Sequence, residues 1–109
     1  MSAYRVVDVT QVEARNGIFR ALTDQLGVAG FRINQLELAP GAEAPEHDHI
    51  GNDQEEVYAV VAGGGVLRTG GEEIPLQAGR FVHLPPDVRR QMVAGDQGLT
   101  WIGIGSATA

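Results

Sequence analysis

The sequence contains no cysteine and no lysine. Without cysteine the chain can form neither a disulfide nor a thiolate metal site, so any metal must be bound by nitrogen and oxygen ligands. The absence of lysine excludes Schiff-base chemistry at a lysine amine. All eight basic residues are arginines, and 14 acidic residues oppose them. The resulting formal charge of −6 argues against a nucleic-acid-binding surface.

Long apolar segments and aromatic residues are also scarce. The longest apolar run, around Val57 to Val61, is far shorter than the roughly 20 residues of a membrane span. The N-terminal residues MSAYRVVDVT show no basic-then-apolar signal pattern. We therefore expect a cytoplasmic protein that does not associate with membranes. Only six residues are aromatic, and no aromatic platform for a carbohydrate is evident.

Glycine and proline are abundant and divide the chain into short segments. Fifteen glycines and five prolines in 109 residues are typical of an all-β barrel with many short strands. We predict one domain over residues 1–109, with an N-terminal extension at 1–17 and the barrel at 18–105. No segment shows a helical period, although Thr10 and Glu13 have the spacing of a capping box around a short helical turn. The expected strands lie at 31–38, 57–61, 66–69, 72–76, 81–84, 88–94 and 99–104.

Glycine clusters are predicted to separate several of these strands. Gly63, Gly64 and Gly65 are expected to end the strand that begins at Val57. Gly70 and Gly71 have the length and composition of a two-residue hairpin turn. Residues 95–98 are expected to separate the last two strands.

Two histidines and a glutamate form the candidate metal site. In an extended segment, His47 and His49 place both imidazoles on one face of a strand. Glu56 on the next strand shares side-chain parity with Val60, so it should point into the barrel. An unpaired carboxylate is costly there and requires a metal or another cation. Two imidazoles and one carboxylate are a ligand set for Fe, Mn, Ni or Zn as divalent ions.

The spacing of these residues resembles the two motifs of the cupin superfamily of small β-barrels. The first motif is matched by Gly41, His47, His49, Glu56 and Gly63, with six residues between His49 and Glu56 where the pattern has three or four. The second motif resembles the segment from Gly71 to Arg90, in which Asp87 stands for a glycine and Arg90 for a histidine. The resemblance covers residues 38–95. It implies a double-stranded β-helix, the cupin jelly-roll barrel, which is commonly dimeric.

Arg90 permits two interpretations. An arginine keeps its proton and cannot ligate a metal. Arg90 should point inward with Met92, while Arg89 points outward. It then either reaches past a metal to bind a substrate carboxylate, or pairs with Glu56 and neutralises it without a metal.

Other polar residues are candidates for ligand binding. Tyr58 would lie beside Glu56, either as a donor to the site or as an aromatic that fills the barrel. Arg32 and Asn34 alternate in phase with Leu36 and so could line a cavity. With Arg90 and Met92, Tyr58 and Asn34 form the predicted substrate-binding set. His83 is expected to face outward.

Three functions remain open at this point. The first is a metal-dependent enzyme acting on a small anionic metabolite, and the second is a metal-free module that binds such a ligand. The third is a barrel that acts as a structural partner. A homodimer is expected because apolar side chains on the outer parity have nothing in one chain to cover them: Phe31, Ile33, Phe81 and Val93.

Overall fold

A computed structural model describes residues 3–107 of the protein as one antiparallel β-fold with a single four-residue helix. The strands are β1 (Ala14–Arg15), β2 (Phe19–Ala21), β3 (Phe31–Leu38), β4 (Glu56–Thr69), β5 (Glu72–Gln77), β6 (Phe81–Leu84) and β7 (Gln91–Ser106). The helix α1 (Thr23–Leu26) lies between β2 and β3. The predicted all-β class is confirmed.

The two longest strands organise the sheet. Its order is β1-β2-β3-β7-β4-β5, and β6 pairs with the first residues of β4. The second half of β7 pairs with β3 on one side and with β4 on the other. The first half of β7 pairs with the second half of β4. The segment after β3 lies along the other edge of this first half of β7. Its backbone hydrogen bonds run from Ala44 to Met92, and between His47 and Arg90 just before the strand. This segment carries both candidate histidines.

Two predicted strand ends are wrong. β4 does not stop at Gly63–Gly65 but continues to Thr69, and β7 is one strand of 16 residues instead of two. The β4–β7 ladder continues through these glycines with register shifts between Val60 and Ala62 and between Gly63 and Gly65. A Cβ on Gly63 would lie 2.1 Å from the carbonyl oxygen of Gly98, and one on Gly65 would lie 2.0 Å from that of Val93. These glycines are needed for close backbone approach within the ladder, not for a chain reversal.

The remaining turns and the N-terminal region agree in part with expectation. Gly70 and Gly71 form the predicted hairpin turn between β4 and β5, both with positive φ. A 3₁₀ turn occurs at Val9–Gln11, but Asp8 caps it by accepting a 3.0 Å hydrogen bond from the Thr10 N–H. The short helix α1 was not predicted, and β1 lies inside the predicted extension.

The core lies between the curved halves of the sheet. Ten buried side chains form one cluster, which includes Leu38, Tyr58, Val60, Leu67, Leu76, Leu84, Met92, Ala94, Leu99 and Trp101. Tyr58, Val60 and Trp101 alternate with outward-facing neighbours, as the two-residue period of a strand requires. Glu56, the first residue of β4, shares this inward parity. The site therefore lies at one open end of an apolar barrel.

Candidate metal centre

The segment that carries the histidines is held against the start of β7. The His47 N–H donates to the Arg90 carbonyl at 3.0 Å, and the Arg90 N–H donates to the His47 carbonyl at 2.9 Å. The His49 N–H donates to the Pro86 carbonyl at 2.8 Å. This extended backbone places the imidazoles on the same side, with ring centroids 5.2 Å apart and planes at 85°.

Glu56 meets both imidazoles from the first position of β4. Its Oε1 lies 3.0 Å from Nε2 of His49 and 3.8 Å from Nε2 of His47. One potential ligand atom from each residue lies within 4.8 Å of the other two. Two ring nitrogens and a carboxylate oxygen at this spacing fit a divalent transition metal. The structure thus brings together all three residues predicted from the motif.

Arg90 lies behind Glu56 and is fully buried. Its Nη2 donates a 2.9 Å hydrogen bond to Oε1 of Glu56, and its Nη1 donates to the carbonyl of Val88. Its Nε has no hydrogen-bond partner within residues 3–107. The predicted inward direction of Arg90 and outward direction of Arg89 are confirmed. Of the two interpretations of Arg90, the pairing with Glu56 is the one that the contacts show.

Tyr58 contacts the same carboxylate from the barrel interior. Its hydroxyl donates to Oε1 of Glu56 at 3.1 Å and lies 3.4 Å from Nε2 of His47. Its ring packs against Trp101 with centroids 5.9 Å apart. Tyr58 therefore fills the barrel and also contacts the site. Burial raises the pKa of Tyr58, and the neighbouring carboxylate raises it further, so the hydroxyl stays a donor.

Glu56 is ionised despite its burial. Burial alone would raise its pKa, but the His47 and His49 imidazoles, Arg90 and Tyr58 together outweigh that effect and lower it to about 2. The carboxylate is therefore charged at neutral pH and able to act as a ligand.

A cavity of about 250 Å³ opens in front of these three residues. Besides His47, His49, Glu56 and Tyr58, it is lined by Phe19, Arg32, Asn34, Leu36, Gln54, Gly103 and Gly105. Asn34 thus lies where it was predicted to lie. Met92 is packed in the core, and neither it nor Arg90 is among the lining residues. Asn34 and Tyr58 thus line the cavity, whereas Arg90 and Met92 do not.

Three lining features were not predicted. Gly103 and Gly105 share the inward parity of Trp101, and their missing side chains leave space beside Tyr58 and Glu56. A Gly-x-Gly pair in the inward phase of a strand was the available signal for this space. Gln54 is 7% exposed and comes from the loop before β4, where no strand pattern gives a direction.

Two other polar regions lie away from the centre. His83 faces outward as predicted, with Nε2 2.5 Å from Oε2 of Glu55. A groove of about 350 Å³ lies beside the β4–β5 turn. Its arginines, Arg68 and Arg89, are engaged by the carboxylates of Glu43, Glu73, Glu46 and Asp48. No helix within residues 3–107 is long and apolar enough to cross a membrane.

Comparison with known proteins identifies the family. The model of the cupin domain matches residues 34–105, so the chain belongs to the cupin family, as the two motifs indicated. Cupins bind small-molecule ligands and commonly bind divalent metals. None of the curated proteins compared with the chain matches it.

Solved structures agree with this assignment. A cupin protein from Bacteroides fragilis superposes with a TM-score of 0.82 at 29% identity, over 98% of this chain and 86% of that one. A Cupin 2 conserved barrel domain protein from Salinispora arenicola gives 0.77 at 25% identity, over 97% and 89%. A sugar phosphate isomerase from Silicibacter pomeroyi gives 0.79 at 24% identity, over 95% and 76%, and supports the fold alone. The predicted cupin jelly-roll barrel is confirmed.

Proposed function

We propose that this cupin is a metal-dependent protein that binds and acts on a small anionic metabolite. His47, His49 and Glu56 would hold one divalent transition metal, with Fe, Mn, Ni and Zn as the candidates. The observation that carries the proposal is the convergence of three ligand atoms, within 4.8 Å of one another, at the floor of a cavity. Such an ion, when bound, supplies a Lewis acid that polarises a ligand oxygen.

The chain's own residues prepare the carboxylate for this role. Tyr58 and Arg90 both donate to Oε1 of Glu56, which fixes the direction of the carboxylate before any ligand arrives. Hydrogen bonds of this kind to a metal-binding side chain orient it and tune its basicity. Leu36 and Phe19 provide the apolar part of the wall, which limits the access of water to the ligand. Arg90 and Tyr58 are thus positioning residues in this proposal.

The alternative is a metal-free binding module. The 2.9 Å bond from Arg90 already gives Glu56 a cationic partner, so burial of the carboxylate does not require a metal. In that case the two histidines would hydrogen-bond the ligand themselves. The two functions differ in one property, which is the dependence of metal affinity on the histidines.

Substitution of single histidines tests the proposal. His49→Gln removes one ring nitrogen, and we expect a loss of metal affinity of at least tenfold in a competition titration with a chromogenic chelator. The matched control is His83→Gln, because His83 lies outside the motif and its side chain hydrogen-bonds Glu55. Equal metal affinity in both variants and the unaltered protein would contradict the proposal and favour the metal-free module.

A homodimer is the second part of the proposal. Ile33, Ile104 and Val57 are paired across β3, β7 and β4, and they form one row on the outer face. Phe81 continues this face at β6, where it is 70% exposed, and Phe31 extends it at the other side. Val93 lies on the other half of β7, between Glu43 and Val66. A second copy packed about a two-fold axis would cover the apolar face.

A further inference from the structure

The orientation of the Asn34 side chain is fixed by the chain itself. Its Oδ1 accepts a 3.1 Å hydrogen bond from the Leu22 N–H and lies 3.4 Å from the Thr23 hydroxyl. A backbone N–H can only donate, so the atom that faces Leu22 must be the carboxamide oxygen. The amino group of Asn34 is the part left for the cavity, and it has no hydrogen-bond partner in the described part of the chain. Asn34 therefore offers the cavity a donor and no acceptor.

Gln54 presents a second carboxamide to the same space. The residue is 7% exposed and lines the cavity, yet its side chain makes no hydrogen bond to any residue between 3 and 107. Its backbone N–H is held by the Asn52 side chain at 3.2 Å, which fixes the loop. Its amide atoms still reach solvent at the cavity, so they are available to a ligand. Gln54 is thus placed as a ligand-contacting group.

Arginines supply positive charge beside Asn34, at the outer side of the cavity. Arg32 lines the cavity and also an adjoining cleft of about 170 Å³, to which Arg15 and Asn34 contribute. Among the described residues, Asp24 is the acid that lines the cleft. Arg32 therefore places one guanidinium group beside Asn34 in the cavity, and Arg15 lies further out in the cleft. Arg90 cannot serve this purpose because it is fully buried against Glu56.

We infer that Asn34, Gln54 and Arg32 bind a carboxylate of the ligand, while the opposite end of the ligand meets His47, His49 and Glu56. The inference rests on the proposed function and specifies its substrate class: a short acid with an oxygen-bearing group at one end and a carboxylate at the other. The Asn34 amino group and the Arg32 guanidinium can only donate, and Gln54 can turn its amino group to the same ligand, so the set favours a carboxylate over a cationic group. The cavity of about 250 Å³ corresponds to about eight water molecules, at about 30 Å³ each in the liquid, so the ligand is small.

The test compares two hydroxy acids that differ in one carboxylate. L-Malate and L-lactate share an α-hydroxycarboxylate end that can bind the metal. Only malate carries a second carboxylate, which can bind Asn34, Gln54 and Arg32. Calorimetric titration uses the protein loaded with the transition metal that it binds most tightly. We expect malate to bind at least tenfold more tightly than lactate.

Isosteric variants show which residues bind the second carboxylate of malate. Asn34→Asp keeps an oxygen for the Leu22 N–H but replaces the donor by a carboxylate oxygen, so the malate-to-lactate affinity ratio should fall to about one. Lactate affinity should change less than threefold, because the metal end is unaltered. Gln25→Glu makes the same charge change at an exposed position outside the cavity, and it should keep the ratio. Gln54→Met provides a second variant that lowers the ratio if Asn34→Asp does not fold.

The outcomes separate this inference from the proposed function. Equal affinities for malate and lactate in the metal-loaded protein would overturn the inference and leave the metal site standing. A ratio that survives both Asn34→Asp and Gln54→Met would also overturn it. Should the protein bind no metal, the proposed function fails. The malate-to-lactate affinity ratio of the metal-free protein then tests by itself whether Asn34, Gln54 and Arg32 bind a carboxylate.

Discussion

Arg90 donates a 2.9 Å hydrogen bond to Oε1 of Glu56 from a position that solvent does not reach. From the sequence, the motif resemblance predicts a histidine at this position. A permanent cation therefore stands where a fourth ligand would be expected, and it contacts the one carboxylate of the candidate metal centre. Two unit charges about 4 Å apart interact by about 4 kcal/mol at an effective dielectric constant of 20. Arg90 thus weakens cation binding at the centre while it holds Glu56 in place.

The substitution Arg90→His tests this role. It removes the buried cation and adds a ring nitrogen beside Glu56, so we expect metal affinity to rise at least tenfold in a chelator competition. Arg89→His is the control, since Arg89 is exposed and pairs with Glu46 and Asp48. A fall in metal affinity for Arg90→His, in a variant that keeps its circular-dichroism spectrum, would contradict this account of Arg90.

Tyr58→Phe removes the second donor to Glu56. The ring would still pack against Trp101, so the fold should be retained. Loss of a hydrogen bond to a metal-binding carboxylate typically lowers affinity about 10- to 100-fold, and we expect a change in that range. Tyr4→Phe is the matched control because Tyr4 is exposed. Unchanged affinity in Tyr58→Phe would show that the hydroxyl has no part in the site.

The Arg20–Glu37 pair should make stability depend on pH. Arg20 donates to Glu37 at 2.6 Å and to the Val12 carbonyl at 2.6 Å, so it connects the N-terminal turn to β3. The hydrogen bond from Arg20 lowers the pKa of Glu37, with a further contribution from Gln35, against the opposing effect of burial. A lowered pKa stabilises the fold above the ordinary value of 4.5, and this stabilisation is lost as the pH falls below it.

Glu37→Gln is the variant that measures this pair. Because both side chains are partly exposed, we expect it to lower the free energy of unfolding by only about 1 kcal/mol at pH 7. The difference should shrink towards zero at pH 3 in urea titrations. Glu13→Gln, at an exposed acid, should have no effect at either pH. A difference that grows on acidification would contradict the assignment.

The outer apolar face predicts the oligomeric state. Sedimentation at micromolar concentration should give a mass twice the 11.6 kDa of one chain. Phe81→Asp should reduce it to that of a single chain, because a charge would be buried in the interface. Val6→Asp changes a residue that is 85% exposed and lies outside this face, so it should leave the mass unaltered. A mass near 11.6 kDa for the unaltered protein would defeat the dimer.

Much of the fold and site could be predicted because strand parity and turn chemistry are local properties. Phe31–Leu38 and Phe81–Leu84 have the bounds expected from their patterns, and parity alone gave the directions of Glu56, Arg89 and Arg90. The glycines in β4 were misread because a turn glycine and a glycine at a close backbone approach look alike in sequence. Only the partner strand distinguishes them.

Residues that depend on loops and neighbours could not be predicted. Gln54 lies outside any strand period, so its direction toward the cavity is set by the Asn52 contact and the preceding turn. Asn34 was placed correctly, but the use of its oxygen by Leu22 follows from the position of α1. The 2.9 Å contact shows the pairing of Arg90 with Glu56, and whether a metal is bound beside that pair stays a prediction. The cytoplasmic location and the extent of the N-terminal extension stay predictions.

The most direct test of the account is the metal content of the protein purified without a histidine tag. The metal-free protein would be reloaded separately with Fe(II), Mn(II), Ni(II) and Zn(II), desalted, and measured by elemental analysis. We predict about one ion per chain for at least one of these metals, and a large decrease in His49→Gln. A stoichiometry near zero for all four metals, with no change in melting temperature, would contradict the metal centre and favour the metal-free Arg90–Glu56 pair.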